Sequence, residues 1–320
     1  MAGNYNKYFV DIDIYIDDKK LDERIKCEFV DAVYDAFHIN RPKIVNFLLF
    51  KTKLRDKLLL PQVLINHIRH KPHNERIDQL VSNEMSKTLE DFFKKFEPKQ
   101  IKLEDCKNNI VIRTKDRGIF GTILVWYQGS VLVNQYNITQ RKIKGRIVID
   151  AGSNIGEFAI YCARLGAKKV YAFEPVSETF RILQEQIKLN RVEDIVVPIK
   201  MGLGDRNENL KISFEFSGDG AAKIGGIAPK SELISLIRLD DFCKKEKIKE
   251  VGFIKMDVEG YEEKVLRGAE GIIKRDKPIL SFSAYHKPSD KKILPEVVLG
   301  IRPDYNIKIL ARAEETFYCS

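Results

Sequence analysis

Paired cysteines are missing from this chain of 320 residues. Its five cysteines (Cys27, Cys106, Cys162, Cys243 and Cys319) are widely spaced, and no C-x-x-C pair occurs. This spacing argues against a disulfide-rich scaffold and against a cysteine-based zinc site, and it predicts reduced thiols in a cytoplasmic protein.

Long apolar runs are also missing. No stretch approaches the ~20 apolar residues that a membrane-spanning helix needs, and residues 1–20 lack the apolar core of a signal peptide. The sequence therefore predicts no membrane span. The formal net charge of +9 leaves a nucleic-acid partner possible. We do not favour that partner, because no basic block is interleaved with aromatic residues, and we interpret the charge as a lysine-rich solvated surface.

The spacing of apolar residues along the chain changes near Pro98. Apolar residues before it recur with helical spacing, which predicts a mainly helical accessory domain over residues 1–98. Residues 99–320 are predicted to form the core domain, with 99–145 as a β lead-in that includes a strand at 123–127.

Three histidines, His67, His70 and His73, are spaced as metal ligands are on a helix. Pro72 interrupts that helix and no carboxylate completes the set. No metal site is predicted.

Strands and helices alternate after Gly145, which is typical of an α/β parallel sheet covered by helices on both faces. An insertion at 210–239 has the pattern of a strand pair around a glycine-rich loop, and the C-terminal tail that of an antiparallel hairpin at the sheet edge. The predicted strands are 146–150, 170–173, 195–201, 253–257 and 279–284. The predicted helices are 156–165, 177–189 (with Ser177 as N-cap) and 261–274.

A nucleotide-binding turn is predicted between the first two of these strands. Asp150 ends the first strand, Gly152 and Gly156 permit a tight turn, and Glu174 ends the second strand. Asp150 would repel a diphosphate but would receive a cationic amino group, and Glu174 can accept hydrogen bonds from both ribose hydroxyls. S-adenosylmethionine is a ligand with these properties.

The sequence of the same turn distinguishes S-adenosylmethionine from a dinucleotide cofactor. Asn154 stands where the dinucleotide fingerprint G-x-G-x-x-G has its second glycine, so an NAD-linked oxidoreductase is the least favoured alternative. Farther along, Asp205 is positioned to accept the adenine amino hydrogen, although an ordinary Gly-Asp turn explains it nearly as well.

Three residues are candidates for the chemistry. Asp257 ends a strand that should neighbour the first strand at the topological switch. Glu259 follows it, as a substrate contact or as a charge at the start of the next helix. His286 lies at the end of the fifth strand and is the preferred general base, with Asp257 second.

Five motifs in order resemble the FkbM family of S-adenosylmethionine-dependent methyltransferases. They are V-I-D-A-G-S-N-I-G at 148–156, A-F-E-P at 172–175, L-D-D-F at 239–242, I-K-M-D-V-E-G-Y-E at 254–262 and Y-H-K-P-S-D at 285–290. The resemblance implies a class I methyltransferase (Rossmann-like) fold, with a seven-stranded sheet containing one antiparallel strand. It also implies that Asp150, Gly152, Gly156 and Glu174 hold the cofactor.

The resulting functional prediction is methyl transfer to a small-molecule acceptor, such as a hydroxyl of a sugar or natural product. An RNA-directed or other nucleic-acid-directed methyltransferase remains the alternative. The glycine-rich loop at 218–226 and the N-terminal region are predicted to cover the acceptor. The sequence indicates neither the acceptor's identity nor the oligomeric state.

Overall fold

The protein is described by a computed structural model that covers residues 9–37, 91–115, 119–120, 123–214, 222–224, 229–312 and 314–320. Within these ranges no helix combines the length and the apolar character needed to cross a bilayer. The three histidines at 67–73 and most of the glycine-rich loop lie outside the described residues.

A seven-stranded sheet forms the centre of the chain, in the order β14-β15-β13-β12-β5-β6-β7. Only β15 runs antiparallel to its neighbours, and every other pairing in β13-β12-β5-β6-β7 is parallel. The predicted class I sheet and the closing hairpin at its edge are confirmed. The strands are β5 Ile147–Ala151, β6 Lys169–Phe173, β7 Val196–Ile199, β12 Phe253–Met256, β13 Ile279–Ser283, β14 Ile307–Ala311 and β15 Glu315–Cys319.

Helices cover both faces of this sheet because its strands are apolar on both sides. Val148 belongs to one apolar cluster and Ile149 to the other, since successive side chains of a strand point to opposite faces. The first cluster is covered by α4 Glu157–Arg164 and α5 Ser177–Leu189. The second is covered by α6 Leu239–Lys245, α7 Glu262–Gly268, α8 Glu270–Asp276 and α9 Asp290–Ile301.

Two details of the predicted helices are wrong. The helix expected over 261–274 is divided into α7 and α8, because the Asp240 carboxylate accepts hydrogen bonds from the backbone N–H groups of Gly271 and Ile272. The carboxylate caps the first N–H groups of α8, so a new helix begins there and α7 does not continue. Ser177 is the first residue of α5 and not its N-cap, and its hydroxyl donates to Glu232.

A second, four-stranded sheet in the order β2-β1-β3-β4 spans the predicted boundary at residue 98. Strand β1 (Ile12–Ile16) pairs along its whole length with β3 (Ile101–Asp105). The sheet is completed by β2 Lys19–Lys20 and β4 Ile110–Thr114, and helix α1 spans Glu23–Phe37. Residues 91–96 are also helical. The described part of the N-terminal region therefore contains strands as well as helices.

Side chains of α5 fasten this second sheet to the first. Gln186 exchanges hydrogen bonds with the backbone of Arg113, and Asn190 does the same with Val111. These amides satisfy the exposed edge of β4 in place of another strand. Apolar residues of β1, β3 and β4 also join the cluster that contains Val148. The division of the chain at residue 98 stays a prediction.

The strand predicted over 123–127 is wrong. Residues Ile123–Tyr127 form helix α2, and a π-helical turn, Gln128–Leu132, continues it. A five-residue apolar run does not distinguish a buried strand from a buried helix by periodicity. A short helix, α3 (Gln140–Ile143), follows. The predicted β lead-in is thus half helical.

The insertion forms a small sheet beside the carboxyl end of β6, in the order β10-β9-β11-β8. Strands β9 and β11 pair antiparallel, as the sequence predicted. The bounds are β8 Gly202–Leu203, β9 Glu208–Phe214, β10 Lys223–Ile224 and β11 Lys230–Ile237. Its apolar face packs on Val176, just before α5.

Candidate active site

A cavity of about 720 Å³ lies at the carboxyl ends of β5, β6 and β12. Strand β5 pairs with β6 on one side and with β12 on the other, so the cavity sits where the strand order reverses. Ligands of open α/β sheets bind at this position. The prediction that the strand ending at Asp257 lies beside the first strand is confirmed, because β12 pairs with β5.

The turn after β5 has the backbone that its glycines predict. Gly152 and Gly156 have φ of +74° and +96°, and Asn154 between them has φ of +46°. A Cβ at Gly152 would lie 1.9 Å from the carbonyl oxygen of Asp257, and one at Gly156 would lie 2.5 Å from Leu183 Cδ1. The close approaches that require glycine are therefore to the protein itself. Gly152 and Asn154 line the cavity.

Glu174 enters the cavity from the end of β6, as predicted. Its two oxygens accept hydrogen bonds from the backbone N–H groups of Asn154 (3.1 Å) and Val176 (2.9 Å). Each carboxylate oxygen keeps a further lone pair for a ligand hydroxyl. Burial raises the pKa of Glu174 to about 8, and the two backbone bonds oppose that rise.

Asp150 is not placed where the prediction required it. Its side chain is fully buried and does not line the cavity; it pairs with the ammonium of Lys255, at 3.1 Å from Nζ to Oδ1. Lys255 also donates to the carbonyl of Gly152 at 2.6 Å and does line the cavity. Burial lowers the pKa of Lys255, but the carboxylates of Asp150, Asp257 and Glu157 raise it more.

Glu157 is a cavity residue that sequence reasoning missed. It is the first residue of α4, it lines the cavity, and Ser130 donates to its Oε1 at 3.0 Å. Its other oxygen is buried without a hydrogen-bond partner. Burial raises its pKa to about 7. Its position in the sequence could have predicted this, because an acid directly after Gly156 falls in the first turn of the helix that follows the nucleotide turn.

Asp205 does not belong to the lining. It follows Gly204, whose carbonyl oxygen would lie 1.9 Å from a Cβ at Gly268, so this turn is packed against α7. Gly202 and Leu203, just before it, do line the cavity. The turn reaches the site, but the Asp205 carboxylate does not.

Asp257 lies at the far end of the cavity and is held by two hydroxyls. Tyr136 donates to its Oδ2 at 2.8 Å, and Ser283 donates to its Oδ1 at 2.7 Å. Glu259 lines the cavity beside it. Tyr136 comes from the segment after the π-helical turn and is buried, which raises its pKa well above the ordinary value. No motif marks Tyr136 in the sequence.

His286 is surrounded by carboxylates. Its Nδ1 lies 2.8 Å from Glu262 Oε1, and its Nε2 lies 3.4 Å from Glu259 Oε1 and 3.6 Å from Asp257 Oδ1. Burial lowers the pKa of His286, but the neighbouring carboxylates of Glu259, Glu262 and Asp257 raise it to about 10. The imidazole is then protonated at neutral pH, and a protonated imidazole is not a base. This geometry does not support the preferred role.

Comparison with known proteins agrees with this geometry. Residues 150–305 match the family described as the methyltransferase FkbM domain. The match spans the nucleotide turn, Glu174, and the strand ends that carry Asp257 and His286.

Individual relatives are more distant. The hexuronic acid methyltransferase AglP of Haloferax volcanii is 28% identical over 171 residues, which are 52% of this chain and 62% of that protein. Methyltransferase 1 of Beauveria bassiana is 28% identical over 145 residues, 38% of this chain and 58% of that protein. The chain thus spans about three fifths of the length of these relatives. A crystal structure of methyltransferase FkbM from Methylobacillus flagellatus KT gives a TM-score of 0.46 at 23% identity, covering 61% of this chain and 48% of that one.

Proposed function

We propose that the chain is a methyltransferase that uses S-adenosylmethionine and acts on a hydroxyl of a small molecule or sugar. The observation that carries the proposal is the position of Glu174. Its carboxylate faces one cavity together with the glycine turn, at the point where the strand order reverses. The family of residues 150–305 supports the same reaction class.

The residues at the β5–β6 end fit the cofactor. In this proposal, Glu174 accepts hydrogen bonds from the two ribose hydroxyls. Glu157, rather than the buried Asp150, receives the amino group, because Glu157 lines the cavity and an ammonium would satisfy its unpartnered oxygen. Bound there, S-adenosylmethionine supplies an electrophilic methyl group on a sulfonium sulfur.

The other end of the cavity receives the acceptor. Asp257 and Glu259 line it, and either carboxylate can take the proton of an acceptor hydroxyl. Two carboxylates close together at this end disfavour a nucleic-acid backbone there. This supports a small hydroxyl acceptor over RNA.

Titration of S-adenosylhomocysteine in a calorimeter tests the cofactor assignment. At about pH 9, where Glu174 is ionised, we expect the wild type to bind S-adenosylhomocysteine and not NAD. We expect Glu174→Gln to bind S-adenosylhomocysteine about 10- to 100-fold more weakly, because hydrogen bonds to a charged group are worth about 1.5–3 kcal/mol. Glu185→Gln is the matched control on the exposed face of α5, where Glu185 pairs only with Arg181 among the contacts described.

The pH dependence gives a second readout. With its pKa near 8, Glu174 is mostly protonated at neutral pH and ionises above it. Wild-type affinity should therefore rise between about pH 6 and about pH 9. Glu174→Gln should remove the part of this rise near pH 8 and keep the part near pH 7, where Glu157 ionises. Equal affinity in wild type and Glu174→Gln would remove the main support for the proposal. Transfer of labelled methyl groups to sugars with and without a uronate carboxyl then addresses the acceptor.

A further inference from the structure

A histidine and two carboxylates converge beside the acceptor end of the cavity. Donor atoms of Asp257, Glu262 and His286 all lie within 4.8 Å of one another. A divalent ion with bonds of about 2.0–2.3 Å holds its ligands about 3 Å apart when they are adjacent and about 4–4.6 Å apart when they are opposite. The spacing of the three side chains thus approaches what one ion requires.

Two buried atoms of this cluster have no hydrogen-bond partner. One is His286 Nε2, which points between Asp257 and Glu259 at distances too long for good hydrogen bonds. The other is Glu262 Oε2. The side chains of His286 and Glu262 are only 4% and 1% exposed. Buried polar atoms without partners are rare in folded proteins and point to a missing ligand.

The surroundings carry excess negative charge. Glu259 contacts the imidazole of His286. Glu314 also lines the cavity and interacts electrostatically with Asp257, Glu259 and His286. Of the nearby lysines, Lys255 is bound to Asp150, and Lys287 donates to the carbonyl of Gly260. A divalent cation that replaces the proton on His286 Nε2 is therefore favoured by the carboxylates around it.

We propose that Asp257, Glu262 and His286 bind a divalent metal ion at the acceptor end of the cavity. A set of one imidazole and carboxylates suits Mn²⁺, Fe²⁺ or Zn²⁺ better than Mg²⁺ or Ca²⁺, which prefer oxygen ligands alone. Asp257 lines the cavity, so the ion is reached from it.

The chemical consequence rests on the proposed function, whereas ion binding itself does not. A metal-bound hydroxyl group has a lowered pKa, and a coordinated sugar or polyol is also held in a fixed orientation. Asp257 is then a ligand, and Glu259 is the carboxylate left to take the acceptor proton. The acceptor class that follows is a molecule with two neighbouring oxygens, which can chelate the ion.

Mn²⁺ binding to the chelator-treated chain of 320 residues tests the site. The electron paramagnetic resonance signal of free Mn²⁺ disappears on binding, and we expect one ion per chain. Asp257→Asn and His286→Gln should each weaken the binding at least about tenfold, which is the scale of losing a partner at a metal site. Glu185→Gln, an exposed carboxylate on α5, should bind Mn²⁺ as the wild type does.

Binding of S-adenosylhomocysteine to the same variants shows whether they are folded, because Glu174 is separate from the metal cluster. A wild-type chain that binds the nucleoside but leaves the Mn²⁺ signal unchanged at about 1 mM would overturn the metal site and leave the proposed function intact. Undiminished Mn²⁺ binding in folded Asp257→Asn and His286→Gln would overturn it too. A wild-type chain that binds Mn²⁺ but not S-adenosylhomocysteine would instead contradict the proposed cofactor and leave the metal site intact.

Discussion

Replacement of Lys255 by methionine should destabilise the protein more than any surface charge change. Lys255 and Asp150 are 4% and 0% exposed, and their charged atoms lie 3.1 Å apart. Methionine fills a similar volume but leaves the Asp150 carboxylate buried without its cation. Breaking a buried pair from one side costs about 3–5 kcal/mol, so we expect the free energy of unfolding to fall by about that amount.

The double variant Asp150→Asn/Lys255→Met separates this effect from lost packing. Removing both charges leaves no unpaired ion, so stability should return to within about 1–2 kcal/mol of the wild type. Urea unfolding followed by circular dichroism measures all three free energies. Lys291→Met is the control, because its pair with Glu315 is half exposed and should change stability by no more than about 1 kcal/mol.

Two outcomes would refute the reasoning. A loss below about 1 kcal/mol in Lys255→Met would mean that Asp150 is solvated or protonated in the folded protein. A double variant as unstable as Lys255→Met would mean that the lysine acts through packing and through its bond to the Gly152 carbonyl, and not through the charge of Asp150.

Two further substitutions test the walls of the cavity. Gly152→Ala should lower the free energy of unfolding by about 2–5 kcal/mol, because alanine is strained at this φ and its Cβ would collide with the Asp257 carbonyl. Urea unfolding measures this loss. The control is Gly300→Ala, whose Cβ would meet no atom within 4 Å and which should be neutral or stabilising. Tyr136→Phe should lower it by about 1–3 kcal/mol, because the Asp257 carboxylate loses a buried donor. A Tyr136→Phe protein as stable as the wild type would show that water replaces the phenol.

Short-range patterns predicted much of the central sheet. The apolar runs ending in Asp150 and Glu174 became β5 and β6, and the glycine turn between them has the expected positive φ values. Strand-end acids reach the correct edge of a parallel sheet because chain direction alone places them there. This is why the sequence predicts correctly that Glu174 and Asp257 lie at the same edge of the sheet.

Long-range contacts explain what the sequence did not predict. Asp150 is buried beneath the cavity lining, where Lys255, more than a hundred residues later, supplies its partner. The pKa of His286 is raised because the carboxylates of Asp257, Glu259 and Glu262 surround it. Tyr136 reaches Asp257 from a segment without any motif, and the run at 123–127 is too short to reveal its helix.

The hydrogen bond from Thr316 Oγ1 to the carbonyl of Gln135 has a consequence for synthesis. Thr316 lies in β15, which inserts beside β13, so the segment that presents Tyr136 is anchored by a strand about 180 positions later. Contacts of such sequence separation form slowly, because a long loop must close first. On the ribosome, β5 and β6 can pair while the segment around Tyr136 still lacks this anchor. We therefore expect Tyr136 to be fixed beside Asp257 only after β15 has emerged.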